Sequence, residues 1–237
     1  MMKSNNKYPD AVEFHSNIAS DFHASYQHDA NRLERVTIWS EFLNRYSKDA
    51  KFAYDIGCGS GILACDIASK GIEVIGIDGA QGMLEIASQS ARSQNLKNIT
   101  FQQHLLPIAD TTQFRQADVV ISSSVIEYLD AIPAALVCLR GLLKQDGIVI
   151  FSVSNSDSIS RKIVRFVHRW TGRPRYFGLL RHFMTIEDIR RDMALSGLSY
   201  VEHTYFGRAD RVNSLLATFL SPKFSSNMIL VVARRAE

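Results

Sequence analysis

Short, largely apolar runs alternate with longer segments of helical periodicity over the central part of the chain. The predicted strands are residues 52–54, 72–77, 99–101, 117–122 and 148–153, and the predicted helices between them are residues 62–68, 81–94 and 132–144. Runs that are apolar at nearly every position are typical of strands buried on both faces. Their alternation with helices predicts a parallel sheet that is covered by helices on both sides.

The two ends of the chain have a different pattern. Residues 10–46 show helical spacing of apolar positions over their whole length. Near the other end, residues 200–206 and 227–233 are strand-like and are separated by a helical segment, residues 210–219. These last strands lack the glycines that punctuate the central part, so their place in the sheet does not follow from periodicity alone.

The insertion over residues 154–185 separates the fifth strand from the next expected helix. No linker-like segment divides the chain, and 237 residues fit one large α/β domain. We therefore expect a single domain over residues 1–237, with a helical cap over residues 1–48 and a lid formed by the insertion.

Composition limits the class of protein. The chain is 46% apolar, and its net charge of +3 is too small to indicate a nucleic-acid partner by itself. Cys58, Cys65 and Cys138 have no metal-binding spacing, so we expect no metal site and a reducing, cytoplasmic location. The first residues lack the apolar core of a secretory signal, and no apolar run is long enough to span a bilayer.

A glycine-rich turn over residues 55–61 joins the first predicted strand to the following helix. Such a turn brings a ligand close to the backbone and to a helix N-terminus, where main-chain N–H groups are available. The acid at its start would repel a pyrophosphate but suits an amino-acid group beside a cationic sulfur. The candidate contacts are Asp55, Gly57, Cys58, Gly59 and Gly61, with Cys58 interpreted as a small packing residue and not as a nucleophile.

This turn resembles motif I of the class I S-adenosylmethionine-dependent methyltransferases. The dinucleotide fingerprint is G-x-G-x-x-G, whereas these glycines follow G-x-G-x-G with an acid two residues before the first. The resemblance covers about residues 14–234, and its specific part is residues 54–78. It implies an α/β fold with a doubly wound, mostly parallel seven-stranded sheet, a helical cap and antiparallel final strands.

The resemblance also implies where S-adenosylmethionine binds. Asp78 follows Gly57 by 21 residues, a spacing that suits a carboxylate holding both ribose hydroxyls, although it could instead cap a helix. Met83 would pack on the adenine or simply fill the core. The acid that the family often has after strand three is missing, and His104 or the main chain near Leu105 would replace it. The other implied contacts are Tyr26, Gly79, Ser122 and Ser123.

Methyl transfer from a sulfonium depends mainly on alignment and desolvation; an alcohol or phenol acceptor needs proton removal, whereas an amine or carboxylate needs little help from a base. The candidate catalytic residues are Glu127, Tyr128 and His182, with His203 and His23 as further candidates. Each has a structural alternative: Glu127 could be a helix-start residue or a surface residue, and a lone histidine is more often structural.

The predicted lid is strongly basic. Seven cations and no acid occur from Arg161 to Arg181, and helical spacing places Ile163, Phe166, Val167 and Trp170 on one face. This amphipathic helix either meets an acidic substrate or an anionic membrane surface, or packs its apolar stripe on the domain under a solvated cationic face. We favour packing for the helix. For the loop after it, we expect contact between the substrate and Arg173, Arg175 and Tyr176.

The sequence therefore predicts a methyltransferase that modifies an O or N atom of a small acidic, aromatic or lipid-like molecule. The segment after strand four has no N-P-P-Y or D-P-P-Y run, which argues against DNA as a substrate. An RNA methyltransferase, an NAD(P)-dependent oxidoreductase with a degenerate glycine motif and a non-catalytic binding module are the alternatives. The basic lid leaves a peripheral membrane contact open, and nothing in the sequence indicates an oligomeric state.

Overall fold

The computed structural model describes residues 11–236, so the first ten residues of the predicted cap and residue 237 lie outside the described part. Its strands are β1 (Phe52–Ile56), β2 (Glu73–Asp78), β3 (Ile99–Gln103), β4 (Ala117–Ser123), β5 (Leu143–Ser154), β6 (Leu198–Phe206) and β7 (Met228–Arg235). Its α-helices are α1 (Ala11–Asn17), α2 (Ala19–Ser25), α3 (Ala30–Tyr46), α4 (Ile62–Ser69), α5 (Gln81–Ser93), α6 (Ile132–Gly141), α7 (Ile159–Thr171), α8 (Ile186–Leu195), α9 (Arg211–Ala217) and α10 (Pro222–Ser225).

The seven strands form one sheet in the order β3-β2-β1-β4-β5-β7-β6. Strands β1 to β5 are parallel, while β7 pairs antiparallel with both β5 and β6. The predicted doubly wound, mostly parallel sheet with an antiparallel addition is therefore confirmed. The strand order reverses between β1 and β4, which is where ligands bind in open sheets of this kind.

The core has one layer on each face of the sheet. Alternate residues of a strand point to opposite faces, so Val149 and Phe151 pack with α6 and α8, whereas Ile148 and Ile150 pack with α3 and α4. This two-sided burial explains why the strands are apolar at nearly every position.

The N-terminal region forms three helices, where the sequence indicated helical spacing throughout. Helix α3 begins after Asp29, whose side chain accepts a hydrogen bond from the N–H of Arg32 at 3.0 Å. Aspartate at this position accepts a hydrogen bond from one of the free N–H groups of the first turn, so a new helix begins there.

The predicted helix over residues 132–144 is too long. Helix α6 ends at Gly141, and Leu143 already belongs to β5, where it pairs with Ala117 of β4. Pairing with a neighbouring strand therefore overrides a local pattern that would suit a longer helix. Near the C-terminus, the predicted helix over residues 210–219 is shorter, and α10 follows it as an additional turn.

The insertion over residues 154–185 contains α7 and a 3-10 helix, Arg175–Leu179. The expectation that the apolar stripe of α7 packs on the domain is wrong. The inner side of the helix is formed by the buried Ser160 and the half-buried Val164, and the stripe lies on another side. Its residues are all exposed: Ile163, Phe166, Val167 and Trp170, the last with 76% of its surface accessible.

Among the described residues, none of the helices combines the length and the hydropathy that crossing a bilayer requires. The cytoplasmic location that cysteine usage predicts stays a prediction.

Candidate active site

A cavity of about 1480 Å³ opens at the carboxyl ends of β1, β2 and β4. The helices α1, α2, α3, α7 and α9 supply further parts of its lining. Pockets for one drug-sized ligand are usually no larger than about 1,000 Å³. The cavity therefore has room for two ligands side by side.

Most of the predicted site residues meet in this cavity. Those that line it are Tyr26, Asp55, Gly57, Cys58, Gly59, Asp78, Gly79, Met83, Leu105, Ser123, Glu127, Tyr128 and Tyr176. The predicted residues outside its lining are Gly61, His104, Ser122, Arg173, Arg175 and His182. The cofactor candidates are thus brought together more completely than the substrate candidates.

Two glycines of the turn have different neighbours. Both have left-handed backbone angles, with φ of +70° at Gly57 and +51° at Gly59. A Cβ atom at Gly57 would lie 2.2 Å from Val125 Cγ2, whereas one at Gly59 would lie 3.7 Å from Phe22 Cε1 and 4.0 Å from Met83 Sδ. Gly57 therefore lets the turn pack against the segment after β4, and Gly59 keeps the cavity open.

The N–H groups of the turn are partly used within the protein. Those of Gly57 and Cys58 both donate to the carbonyl of Ile77, at 2.7 and 3.0 Å. That of Gly59 donates to the carboxylate of Asp78 at 2.8 Å. These hydrogen bonds tie the turn to the end of β2. The turn therefore serves a ligand mainly by allowing close approach to the backbone, and less by donating free N–H groups.

Asp78 organises the end of β2. Besides the bond from Gly59, its carboxylate accepts the N–H of Ala80 at 2.8 Å. Helix α5 has Ala80 at its N-cap position, so Asp78 does not occupy that position itself. Burial raises the pKa of Asp78, and these hydrogen bonds act in the opposite direction. A carboxylate has about four acceptor sites, so capacity is left for ligand hydroxyls.

Asp55 is buried at the end of β1, with 2% of its surface exposed. Burial, aided by the negative charge of Asp78, raises the pKa of Asp55 to about 8. Ser60 also lines the cavity, and its buried Oγ has no hydrogen-bond partner. A buried acid and an unpaired hydroxyl at one end of a cavity suit a cationic, hydrogen-bonding ligand.

Cys58 fits its interpretation as a packing residue. Its side chain is buried, and burial raises the pKa of its thiol well above the ordinary value. Only the thiolate is an effective nucleophile, so this thiol is inert at neutral pH.

The end of the cavity next to α5 is apolar. Met83 is buried between α2 and α5, where it packs with Ala19 and Phe22. Leu105 is exposed and lines the cavity, whereas the ring of His104 contacts Phe114 at a centroid distance of 5.5 Å. At this end the structure therefore offers the side chain of Leu105 and not that of His104.

Several lining residues on the N-terminal helices were missed by sequence reasoning. Arg35 of α3 donates from Nη1 to Ser123 Oγ at 3.0 Å and to Ser124 Oγ at 2.6 Å. The guanidinium of Arg32 lies 4.0 Å from the ring centre of Phe22, a cation–π contact. A cation on a predicted cap helix was the only available signal, and that signal does not separate a lining residue from a surface one.

Glu127 is buried beside the cavity and belongs to a 3-10 helix, Ile126–Tyr128. Ser154 Oγ donates to its Oε1 at 3.4 Å, and its buried Oε2 has no partner. Burial raises the pKa of Glu127 to about 7, although Arg35 and Arg161 lower it in part. The surface position that sequence reasoning considered for this residue is excluded.

The other candidate bases are less well placed. Tyr128 lines the cavity, but burial raises the pKa of its phenol far above the ordinary value, so it stays protonated. His182 Nε2 lies 3.3 Å from the carbonyl oxygen of Asp130 and outside the cavity lining. His203, on β6, is hydrogen-bonded to Tyr200 and is likewise outside the lining.

The lid brings a different arginine to the cavity than expected. Arg161 and Tyr176 line it, whereas Arg173 and Arg175 are exposed and do not. The guanidinium of Arg161 lies 5.9 Å from the ring centre of Phe177, and its buried Nε has no hydrogen-bond partner. Within the lid, the cations that line the cavity are therefore Arg161 on α7 and Arg181, which pairs with Asp130, and not Arg173 or Arg175.

Comparison with known proteins identifies the class. A family model described as a methyltransferase domain matches residues 54–149. The ubiquinone biosynthesis O-methyltransferase of Ruegeria sp. is 32% identical over 185 residues, which cover 74% of this chain and 73% of that protein. The enzyme of the same name from Acinetobacter baumannii (strain ACICU) is 36% identical over 108 residues, which cover 44% of each chain.

Solved structures share the fold at low identity. The magnesium protoporphyrin IX methyltransferase of Synechocystis, crystallised with bound SAH, has a TM-score of 0.71 at 16% identity, covering 95% of this chain and 98% of that one. The CcbJ methyltransferase of Streptomyces caelestis has a TM-score of 0.69 at 15% identity, covering 97% of this chain and all of its own.

The chain belongs to the class I S-adenosylmethionine-dependent methyltransferases. It is an enzyme whose cofactor is S-adenosylmethionine and whose methyl acceptor is a small molecule. The oxidoreductase, RNA-methylating and non-catalytic alternatives are therefore set aside.

Proposed function

We propose that the enzyme O-methylates a phenolic hydroxyl of an aromatic molecule that carries a lipid-like group. The observation that supports this most strongly is Glu127. It is a buried carboxylate beside the cavity with an unpartnered oxygen and a pKa of about 7. A base with a pKa near the working pH is best matched to removing a phenolic proton. A carboxylate acceptor needs no base, and an amine needs less help from one than a phenol does.

The residues at the other end of the cavity fit the cofactor. The buried Asp55 would face the cationic amino-acid end, and Ser60 Oγ has a free hydrogen bond to offer there. Asp78 would hold the ribose hydroxyls. Arg35, which reaches Ser123 and Ser124, would meet the cofactor carboxylate.

The adenine would lie at the apolar end, between the side chains of Phe22, Met83 and Leu105. The chemistry that S-adenosylmethionine supplies when bound is an activated methyl group. The protein's own contribution is to hold the acceptor oxygen in line, to exclude water and to take the phenolic proton on Glu127. Arg35 and Arg161, whose charges already act on Glu127, would stabilise the phenolate as it forms.

The names of the relatives support the acceptor class. The matched enzymes from Ruegeria and Acinetobacter are O-methyltransferases of ubiquinone biosynthesis. We infer that this chain acts on a related kind of molecule, an aromatic ring with an apolar tail. An acceptor of this kind resides in or near lipid, so the proposal includes peripheral contact of the basic lid with a membrane.

The test is an assay of the purified enzyme with S-adenosylmethionine and catechol-type acceptors, with and without an isoprenoid tail, in which mass spectrometry locates the added methyl group. Glu127→Gln should lower kcat by roughly 10²- to 10⁴-fold, the usual contribution of a general base. It should also remove the rise of kcat with pH near 7, because the amide does not titrate.

Glu85→Gln is the matched control, because Glu85 is an exposed acid on α5 away from the cavity. It should behave like the parent enzyme. Methylation at nitrogen, or a Glu127→Gln variant with unchanged kcat and pH profile, would contradict the proposal.

A further inference from the structure

The exposed apolar side chains of the described residues are concentrated in one part of the molecule. Thirteen large apolar residues are exposed, and nine of them belong to α7, the 3-10 helix after it and the segment that runs from α9 to α10. We call these nine residues the apolar surface: Ile163, Phe166, Val167, Trp170, Tyr176, Val212, Leu215, Phe219 and Phe224. Contiguous exposed apolar area of this kind usually marks an interaction site.

The helices that carry the apolar surface are neighbours in space. Helix α10 contacts both α7 and α9. Ile163 of α7 and Val212 of α9 are both exposed and both line the active-site cavity. The mouth of the cavity therefore opens within this surface.

On α7 the apolar residues occupy one arc of the helix. At 100° per residue, Ile163, Phe166, Val167 and Trp170 fall within about 100° of one another. Phe166 and Trp170 are 66% and 76% exposed, so the arc points away from the body of the protein. An aromatic-rich outward arc is the pattern of a helix that lies in a membrane interface.

Unpaired cations border this arc. Lys162, Arg165 and Arg169 lie on the next side of α7, and Arg173 and Arg175 follow after the helix. The ion pairs of the described residues include none of these five, and no acid occurs between Asp157 and Glu187. The apolar surface is thus bordered by positive charge without local compensation.

We propose that the apolar surface docks on an anionic lipid bilayer, with the mouth of the cavity facing the lipid. The positive charge favours an anionic bilayer as the partner, because the cations attract anionic headgroups while the aromatic side chains reach the acyl boundary. A second copy of the chain is a poorer occupant, because a symmetric contact would bring the same cations of both copies together. The proposal extends the proposed function, since a lipid-like acceptor would then enter the cavity directly from the bilayer.

Co-sedimentation with vesicles tests the docking without any turnover. The full chain should bind vesicles of phosphatidylglycerol and phosphatidylcholine in equal parts much more tightly than vesicles of phosphatidylcholine alone. The double variant Phe166→Ser, Trp170→Ser should bind the anionic vesicles at least roughly tenfold more weakly, and Phe219→Ser, between α9 and α10, should also bind more weakly. Leu195→Ser is the matched control, because Leu195 is 74% exposed on α8, outside the apolar surface, and its loss should change nothing.

Two further variants, Arg165→Gln and Arg169→Gln, test the contribution of the positive charge. Each should weaken binding to anionic vesicles by about fivefold, as expected for one cation near an anionic surface, with little effect on neutral vesicles. Absence of vesicle binding, equal binding to both vesicle types, or a dimer that the Phe166→Ser, Trp170→Ser variant converts to a monomer would overturn the proposal. Unchanged binding of S-adenosylhomocysteine to each variant shows that the fold is intact.

Kinetics separate this inference from the proposed function. If both hold, the Phe166→Ser, Trp170→Ser variant keeps its rate on a tail-free acceptor in solution and loses rate on a tailed acceptor in anionic vesicles. Vesicle binding with no methylation of a phenolic hydroxyl would support the docking surface and reject the acceptor class. Methylation of both acceptors at parental rates by this variant would reject the docking surface alone.

Discussion

Asp55 carries a proton at neutral pH in the ligand-free protein, because burial raises its pKa to about 8. A cationic ligand prefers the carboxylate form. Affinity for S-adenosylmethionine should therefore rise with pH from 6 to 8, by up to roughly tenfold per pH unit, and level off above that range. Isothermal titration at several pH values measures this slope, and Asp55→Asn should flatten it.

Titration of Asp55 also affects the stability of the fold, and this contribution falls as pH rises. A carboxyl group whose pKa is raised on folding binds more protons in the native state than in the unfolded chain. Its contribution to the free energy of unfolding is complete below the ordinary pKa of about 4 and is lost as pH rises towards 8. Denaturant unfolding of the ligand-free protein should show this loss, and a pH-independent stability difference between Asp55→Asn and the parent would contradict the assignment.

Alanine at two positions of the turn should separate folding from binding. Both positions have positive φ, so each substitution should cost on the order of 1 kcal/mol in backbone strain. Gly57→Ala adds a clash with Val125 and should lower the melting temperature clearly more than Gly59→Ala. Gly59→Ala should mainly weaken cofactor binding, because its new methyl group points towards Phe22 and Met83 in the cavity. Equal melting temperatures, or unchanged affinity in Gly59→Ala, would disprove this division.

Local spacing was enough to locate Asp55 and Asp78, because each directly follows a predicted strand and the strand ends converge. It could not show that Glu127 is buried or that Arg35 reaches Ser123. Those facts depend on how the cap helices and the segment after β4 pack over the sheet, and the short-range pattern of a chain carries no such information.

At the scale of elements, side chains of α3 join the cap to the C-terminal part of the fold. Glu34 of α3 accepts hydrogen bonds from the main-chain N–H groups of Gly207, Arg208 and Ala209, at 3.2, 2.8 and 2.9 Å. These residues follow β6 directly, so α3 holds the start of the connection to α9.

Glu34→Ala should lower the free energy of unfolding by about 1–3 kcal/mol, because it leaves N–H groups without their charged acceptor. Denaturant unfolding measures this change. Glu41→Ala on the same helix is the control, since Glu41 makes an exposed ion pair with Arg45, and such pairs contribute about 0–1 kcal/mol. A loss in Glu34→Ala no larger than in the control would show that the connection is held by other contacts.

The predicted elements differ from the observed ones where a contact with a distant part of the chain determines the local structure. The helical pattern continues past Gly141, but Leu143 finds a strand partner in Ala117 and joins β5. The N-terminal helices were detected as one region because the break before α2 has no capping side chain and the break before α3 depends on a single aspartate. The parallel sheet itself was predictable, since burial on both faces leaves a continuous apolar run in each strand.

At the scale of the whole molecule, the cavity is closed on one side by helices that pack lightly on the main body. Helices α1 and α2 contact α5 and contribute Val12, His15 and Phe22 to the cavity lining. Cofactor binding should therefore slow hydrogen exchange over residues 11–25 by roughly tenfold or more, because the bound ligand stabilises the closed state. Mass-spectrometric exchange with S-adenosylhomocysteine measures this effect.

Helix α8 serves as the internal reference in that experiment, because it packs on the sheet away from the cavity. If exchange slows over residues 57–61 but not over residues 11–25, the N-terminal helices do not take part in holding the cofactor.

The outward direction of the α7 stripe was the largest departure from the expected arrangement. Helical spacing shows that a stripe exists but not which way it faces. The inner side of α7 is the one that carries Ser160 and Val164, so the stripe had to lie elsewhere.

Strand order has a consequence for how the chain folds as it is made. β7 lies between β5 and β6, although it follows both in the sequence. During synthesis β6 has no neighbour in the sheet until β7 leaves the ribosome, and β5 keeps one open edge. Removing residues 228–235 would therefore expose two strand edges that are paired in the whole chain and are prone to aggregate, although the chain would keep the residues proposed to hold the cofactor.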